Sequence, residues 1–137
     1  MNIHFTSTPC PEASAWLDSQ PDIQTAWDNC QRGDWLWWAL RHLPGALPNK
    51  EISVAFARWC ERRAKKFADA AAANLAARAY AYAAYAAACN AYDAATAAAY
   101  AATHIADVVS DDAACAAERL EQAEWIRRHV QCPHLIP

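Results

Sequence analysis

Residues 68–117 read ADAAAANLAARAYAYAAYAAACNAYDAATAAAYAATHIADVVSDDAACAA, and about half of them are alanine. Alanine is the strongest helix former because its side chain loses no rotamer entropy when a helix forms. A run such as Ala79-Tyr80-Ala81-Tyr82-Ala83-Ala84-Tyr85 is therefore typical of helix. This stretch predicts an all-α fold.

The alanine-rich stretch belongs to a longer segment that contains no helix breaker. All seven prolines and both glycines fall in the first 48 residues or the last five. A single helix of about 80 residues would be about 120 Å long, so the segment is expected to fold back on itself. Polar residues suited to capping divide it into four predicted helices, near 50–67, 69–88, 91–108 and 111–130. The capping residues are Asn49, Asp69, Asn90 and Ser110.

Bulky side chains should form most of the core, because an alanine face buries little apolar area. In the alanine-rich segment these are Trp59, Phe67, Leu75, Tyr82, Tyr85, Tyr92, Tyr100, Ile105, Val109, Leu120 and Trp125. The N-terminal third adds Trp16, Trp27, Trp35, Trp37 and Trp38. We expect this third to dock across the alanine helices as an aromatic lid.

The lid is predicted to contain three short helices. Pro11-Glu12 opens one that runs through Ser19, Pro21-Asp22 opens another through Asp28, and Asp34 caps a third from Trp35 to about Leu43. We therefore predict one all-α domain over residues 1–137, with a Trp-rich segment at 1–48 and alanine-rich helices at 49–132.

Composition excludes several classes of function. With 137 residues the chain is one domain, and its net charge of -3 argues against general nucleic-acid binding. Two glycines are too few for a P-loop enzyme or an all-β fold. We see no secretory signal and no membrane span, so a cytoplasmic location in a bacterial host cell is expected, with no cofactor. The six cysteines, at 10, 30, 60, 89, 115 and 132, are interpreted as mostly small buried thiols.

The densest aromatic feature is Trp35-Leu36-Trp37-Trp38, followed by Arg41. Four consecutive bulky residues on a helix spread over about 300°, so at least one tryptophan should be near the surface. Exposed tryptophan beside arginine is the composition of an energetic anchor in protein interfaces. Trp35, Trp37, Trp38 and Arg41 are the predicted partner-binding residues, against the alternative of a helix buried on nearly all sides. The acidic balance suits a basic target such as a nuclease.

The pattern Cys-x-Arg-Gly-Asp-Trp-Leu-x-Trp, ahead of a long Ala/Tyr/Asp-rich helical tail, resembles a family of immunity-like proteins found in phages and bacterial toxin-immunity loci. Its residues here are Cys30, Arg32, Gly33, Asp34, Trp35, Leu36 and Trp38. The resemblance covers roughly residues 13–128, with Trp37 at a position where leucine is more usual and a short segment after Pro48. It implies a small helical protein that neutralises a protein partner by binding, either a toxin or a defence component such as a CRISPR-Cas effector.

A second hypothesis is a module that sequesters an anionic, nucleotide-like small molecule. Arginines and lysines cluster between residues 58 and 66, where helical spacing places several on one face. Tyrosines further along the chain would supply stacking for a base. The predicted ligand-binding residues are Arg58, Arg62, Arg63, Arg78, Tyr82 and Tyr85. The alternative is a solvated charged face.

The sequence gives weaker indications of other chemistry. His129, Cys132 and His134 have spacing that a metal site would use, with His4 and Cys10 at the other terminus, but we predict no metal. No catalytic motif is present, so we predict that the protein is not an enzyme, although a Cys/His pair that meets only in space stays open. Exposed alanine faces are also compatible with a homodimer.

Overall fold

The computed structural model of the protein describes residues 3–67, 91–109 and 112–133. Within these ranges the chain forms six helices and no strand, which confirms the all-α prediction. The helices are α1 (Pro11–Asp18), α2 (Ile23–Asn29), α3 (Gly33–His42), α4 (Lys50–Phe67), α5 (Ala91–Val109) and α6 (Asp112–His129). The predicted helix at 69–88 lies outside the described residues. None of the helices in the described ranges is long and apolar enough to cross a membrane.

Side-chain caps explain where two helices begin. The carboxylate of Asp22 accepts a hydrogen bond from the amide of Thr25 at 2.7 Å, and the side chain of Asn49 accepts one from the amide of Ile52 at 2.8 Å. Both caps satisfy backbone donors that have no partner inside the helix. The cap predicted at Asp34 is wrong, because α3 begins at Gly33, two residues before the predicted start at Trp35, and Asp34 lies in its first turn.

The long helices α4 and α6 run in opposite directions. The ring of Trp125 lies 5.0 Å from that of Phe56, while Glu118, two turns earlier in α6, pairs with Arg63, two turns later in α4. Helix α4 also packs along α5, more extensively than any other two described helices pack together. Alanines without exposed surface occur on both of these helices, at Ala57 and Ala64 of α4 and at Ala95, Ala98 and Ala102 of α5. Their small side chains allow a close approach of the two helix axes.

The N-terminal helices cover these alanine-rich helices, as predicted. Helix α3 packs against both α5 and α6. At Gly33 a Cβ atom would lie 2.5 Å from Cβ of Gln122 and 2.8 Å from the backbone nitrogen of Ala123, so only glycine allows this approach. Arg127 of α6 donates hydrogen bonds to the carbonyl groups of Trp27 and Cys30, which ties α6 to the end of α2.

An aromatic cluster joins the lid to the long helices. The ring of Trp37 lies 4.5 Å from Phe56 and stacks on Tyr92 at 5.0 Å. The hydroxyl of Tyr92 donates to the carbonyl of Trp37. Burial raises the pKa of Tyr92, so this hydroxyl keeps its proton and remains a donor. The core is therefore shared between both parts of the chain.

Candidate protein-binding groove

A large groove opens between the N-terminal helices and the α5–α6 pair. Its volume is about 900 Å³. Phe5, Trp16, Leu17, Trp35 and Trp38 line one side of it. Asp93, Thr96, Tyr100 and His104 of α5, with Cys115 and Arg119 of α6, line the other side. We call this feature the aromatic groove; its size and mostly apolar lining are within the range of ligand-binding sites in proteins.

The aromatic side of the groove is held in place by ring contacts. Trp16 of α1 packs against Trp35 of α3 with ring centres 5.8 Å apart. Phe5, from the irregular segment before α1, packs against Trp38 at 5.2 Å, and Trp38 also contacts the ring of His42 at 4.4 Å. Rings fixed by neighbours lose little side-chain entropy when they contact a partner.

The segment that carries Phe5 is tied to the end of α3. The amide of Thr6 donates to the carbonyl of His42 at 2.8 Å. The hydroxyl of Thr6 lies 3.0 Å from Nδ1 of the same histidine, at hydrogen-bond distance. These contacts place Phe5 over Trp38, so the N-terminal segment forms part of the groove.

Charged side chains hold the start of α3. Nε and Nη2 of Arg32 donate to the two carboxylate oxygens of Asp34 at 2.9 and 2.7 Å, and Glu12 lies 3.7 Å from the same guanidinium. The hydrogen bonds with Asp34 raise the pKa of Arg32. This guanidinium also covers the ring of Trp35 at 4.5 Å. The Arg32-Gly33-Asp34 tripeptide therefore stabilises the start of α3 and allows α3 to pack closely on α6.

The predicted partner-binding residues do not share one environment. Trp37 is only 2% exposed and lies in the core, so it is not a surface anchor. Trp35 and Trp38 are partly exposed on the groove, which confirms that at least one tryptophan of this helix reaches the surface. Arg41 is exposed, and its guanidinium lies 5.4 Å from the centre of the Tyr92 ring.

Tyr100 is the groove residue that the sequence placed wrongly. The sequence pattern predicts Tyr100 in the core, yet it is 72% exposed and stacks on His104 at 6.1 Å. Tyr100 is spaced eight residues from Tyr92, close to two helical turns, and this spacing suggested a shared buried face. The two residues differ because Tyr92 meets Trp37, whereas Tyr100 lies where the groove opens.

One buried polar atom on the groove lacks a partner. Nε1 of Trp37 is buried, and no acceptor among the described residues lies within hydrogen-bond distance. Buried indole N–H groups are usually paired, because desolvation without a hydrogen bond is costly. The ring of Trp37 is 2% exposed, so this N–H group is enclosed by the core and is not accessible to a ligand in the groove.

The residues of the anionic-ligand hypothesis are also separated by the structure. Arg63 forms an ion pair with Glu118 at 2.7 Å, so its guanidinium is engaged inside the protein. Arg58 and Arg62 are exposed on α4. The other three predicted residues, Arg78, Tyr82 and Tyr85, lie outside the described part of the chain. For the metal alternative, the residues that the structure describes contain no group of three ligand-type side chains placed to hold an ion.

Comparisons with known proteins add no relatives. The chain matches no protein-family model, no curated protein and no solved structure. The immunity-like resemblance therefore rests on the sequence motif between Cys30 and Trp38.

Proposed function

We propose that this protein binds and neutralises a protein partner, without catalysis, as an immunity-type or anti-defence inhibitor encoded by a phage or prophage. The partner is a toxin or a bacterial defence component such as a CRISPR-Cas effector. The observation that supports this proposal is the aromatic groove, in which Trp35 and Trp38 are partly exposed beside Arg41. Tryptophan and arginine carry a large share of the binding energy in protein interfaces.

Charge favours a basic partner. The first 49 residues hold five carboxylates and two arginines. The carboxylates are Glu12, Asp18, Asp22, Asp28 and Asp34, and the arginines are Arg32 and Arg41. All five acidic residues are exposed and lie on or beside the helices that form the groove. Of these five carboxylates only Asp34 lines the groove, where it pairs with Arg32, so the charge argument rests on the acidic helices beside the groove and on the net charge of -3. Opposite charge on a partner would accelerate its association.

The test is capture of a partner by the tagged protein from a bacterial lysate, followed by mass spectrometry. We expect a stoichiometric basic protein. Trp35→Ala and Trp38→Ala should each weaken capture by about 2 kcal/mol, roughly thirtyfold in Kd, if they are interface anchors. Leu47→Ala is the matched control, because Leu47 is 53% exposed and lies outside the groove.

Folding must be checked for each variant by circular dichroism before capture is compared. Equal capture by the wild type and both folded tryptophan variants would contradict the assignment of the groove. Loss of capture in Leu47→Ala as well would show that the effect is not specific to the aromatic residues.

A further inference from the structure

A second groove lies on another face of the molecule, between α4 and α6. Its volume is about 650 Å³. It is lined by Lys50, Glu51, Val54, Ala55, Arg58 and Arg62 of α4 and by Trp125 and His129 of α6. None of these residues lines the aromatic groove. We call it the basic groove.

The cations of the basic groove lie along one face of α4. Lys50, Val54, Arg58 and Arg62 follow each other at intervals of four residues, so their side chains are neighbours along the helix. Lys50 also lies in the first turn, where the positive end of the helix dipole favours anions. Glu51 is the one carboxylate among the described lining residues.

Arg58 and Arg62 are available for a ligand. Both are exposed, and neither forms an ion pair with a carboxylate of residues 3–64, 91–104 or 113–133. Their neighbour Arg63 points to the interior and pairs with Glu118. Two guanidinium groups one helical turn apart suit a phosphate chain, because each can donate a pair of parallel hydrogen bonds to phosphate oxygens.

An aromatic surface lies at the other end of the groove. The ring of His129 stacks on Trp125, with ring centres 3.9 Å apart and planes inclined by 16°. Nδ1 of His129 donates to the carbonyl of Trp125 at 2.8 Å, which fixes the ring orientation. His129 is exposed, and one face of its ring packs on Trp125, which leaves the residue open to a planar ligand from solvent.

The antiparallel packing of α4 and α6 sets the distance between the ring of His129 and the arginine pair, Arg58 and Arg62. Trp125 contacts Phe56, and His129 lies one turn further along α6, beside the first turns of α4. Arg58 and Arg62 lie six and ten residues beyond residue 52, the level of His129, which is roughly 9 and 15 Å along the helix at 1.5 Å per residue. A ligand that spans the groove would have an aromatic ring at one end and phosphate groups at the other.

We propose that the basic groove binds a nucleoside polyphosphate, with its phosphates on Arg58 and Arg62 and its base against His129. A free nucleotide is favoured over nucleic acid, because the groove is short and the whole chain has a net charge of -3, which repels a long polyanion. Stacking on a ring is tolerant of base identity. The site is independent of the protein-binding proposal, since it uses a different face.

Isothermal titration calorimetry of the purified full chain tests this site. ATP is the main probe, with tripolyphosphate and adenosine as probes for each half of the ligand. Replacing both arginines, Arg58→Gln with Arg62→Gln, should raise the Kd of ATP at least about tenfold, since two charge-assisted contacts are removed. His129→Ala should raise the Kd of ATP about fivefold through lost stacking and leave the Kd of tripolyphosphate unchanged.

Arg128→Gln is the matched control, because Arg128 is an exposed cation of the same α6 turn that does not line the groove. It should bind ATP like the wild type. The proposal is overturned if ATP gives no binding heat, or if the double arginine variant binds ATP unchanged. Equal affinities for ATP and tripolyphosphate, with no effect of His129→Ala, would overturn the role of the base. Partner capture is measured separately, so either proposal can fail alone.

Discussion

Arg63 and Glu118, 55 residues apart in the sequence, form an ion pair at 2.7 Å between α4 and α6. Glu118 is 2% exposed, and its other contacts include the side-chain amide of Gln122 at 3.5 Å. This amide also donates to the carbonyl of Ala99 and the hydroxyl of Thr103, both at 3.1 Å. A small polar network therefore connects all three long helices inside an otherwise apolar core.

Replacing one residue of the Arg63–Glu118 ion pair should lower the unfolding free energy more than replacing both. Arg63→Met leaves a buried carboxylate without its counter-charge, which should cost about 3 kcal/mol of unfolding free energy. The double variant Arg63→Met with Glu118→Leu should recover most of that loss, because no buried charge remains. Urea denaturation of the two variants and the wild type measures the difference. A double variant as unstable as Arg63→Met would contradict this account.

The same carboxylate should make stability depend on pH in a defined direction. Burial raises the pKa of Glu118 above the ordinary value of 4.5, and this effect exceeds the opposing one of Arg63. The folded state therefore binds a proton that the unfolded state releases, so Glu118 contributes most at low pH and its contribution falls as pH rises through the folded pKa. Urea denaturation between about pH 4 and pH 7 should show this decline in the wild type relative to Glu118→Gln. If the stability of the wild type relative to Glu118→Gln stays constant or rises with pH, the assigned direction of the pKa shift is wrong.

Local sequence signals predicted the helices well. The starts near Asp22 and Asn49 depend on side chains that cap their own helix within three residues, so the sequence alone contains the necessary information. The predicted start of α3 is two residues too late, and the close contact of its first residue with α6 is a tertiary feature that no local pattern shows. Gln122 lies close enough to Gly33 to exclude any side chain there.

The roles of individual side chains are harder to predict than the positions of the helices, because they depend on which face of each helix is buried. Arg62 and Arg63 are adjacent, yet they point about 100° apart on the helix, one to solvent and one to Glu118. Trp37 and Trp38 are separated in the same way, one in the core and one on the groove. Which face is buried depends on helices far away in the sequence, and no local pattern encodes them.

The contrast between Trp37 and Trp35 leads to a stability prediction. Trp37→Ala removes a buried ring that contacts Phe56 and Tyr92, so it should lower the unfolding free energy by about 4 kcal/mol. Trp35→Ala removes a partly exposed ring and should cost about half as much or less. Thermal and urea denaturation of both variants provide the comparison. Equal losses would show that the two rings are buried alike.

Gly33 should tolerate no side chain. A Cβ atom there would meet Cβ of Gln122 and the backbone of Ala123, and the backbone of α6 cannot move aside without disturbing the core. Gly33→Ala is expected to cost about 2 kcal/mol or more through overpacking. Gly45→Ala is the comparison, since Gly45 has open space but a φ of 75°, and its cost should be about 1 kcal/mol from backbone strain alone. Denaturation curves that rank Gly45→Ala as the more harmful would contradict the close packing of α3 on α6.

The reactivity of the thiols should distinguish the exposed cysteine from the buried ones. Cys10 is exposed on the N-terminal segment, whereas Cys60 has no exposed surface. Burial, with a smaller effect from Glu118, raises the pKa of Cys60 well above its ordinary value, so almost no reactive thiolate forms. Burial also raises the pKa of Cys30. Iodoacetamide labelling followed by peptide mass spectrometry should therefore modify Cys10 before Cys30 and Cys60, and leave these two intact until urea is added. Labelling of Cys60 in native buffer at the rate of Cys10 would mean that the junction between α4 and α6 opens readily.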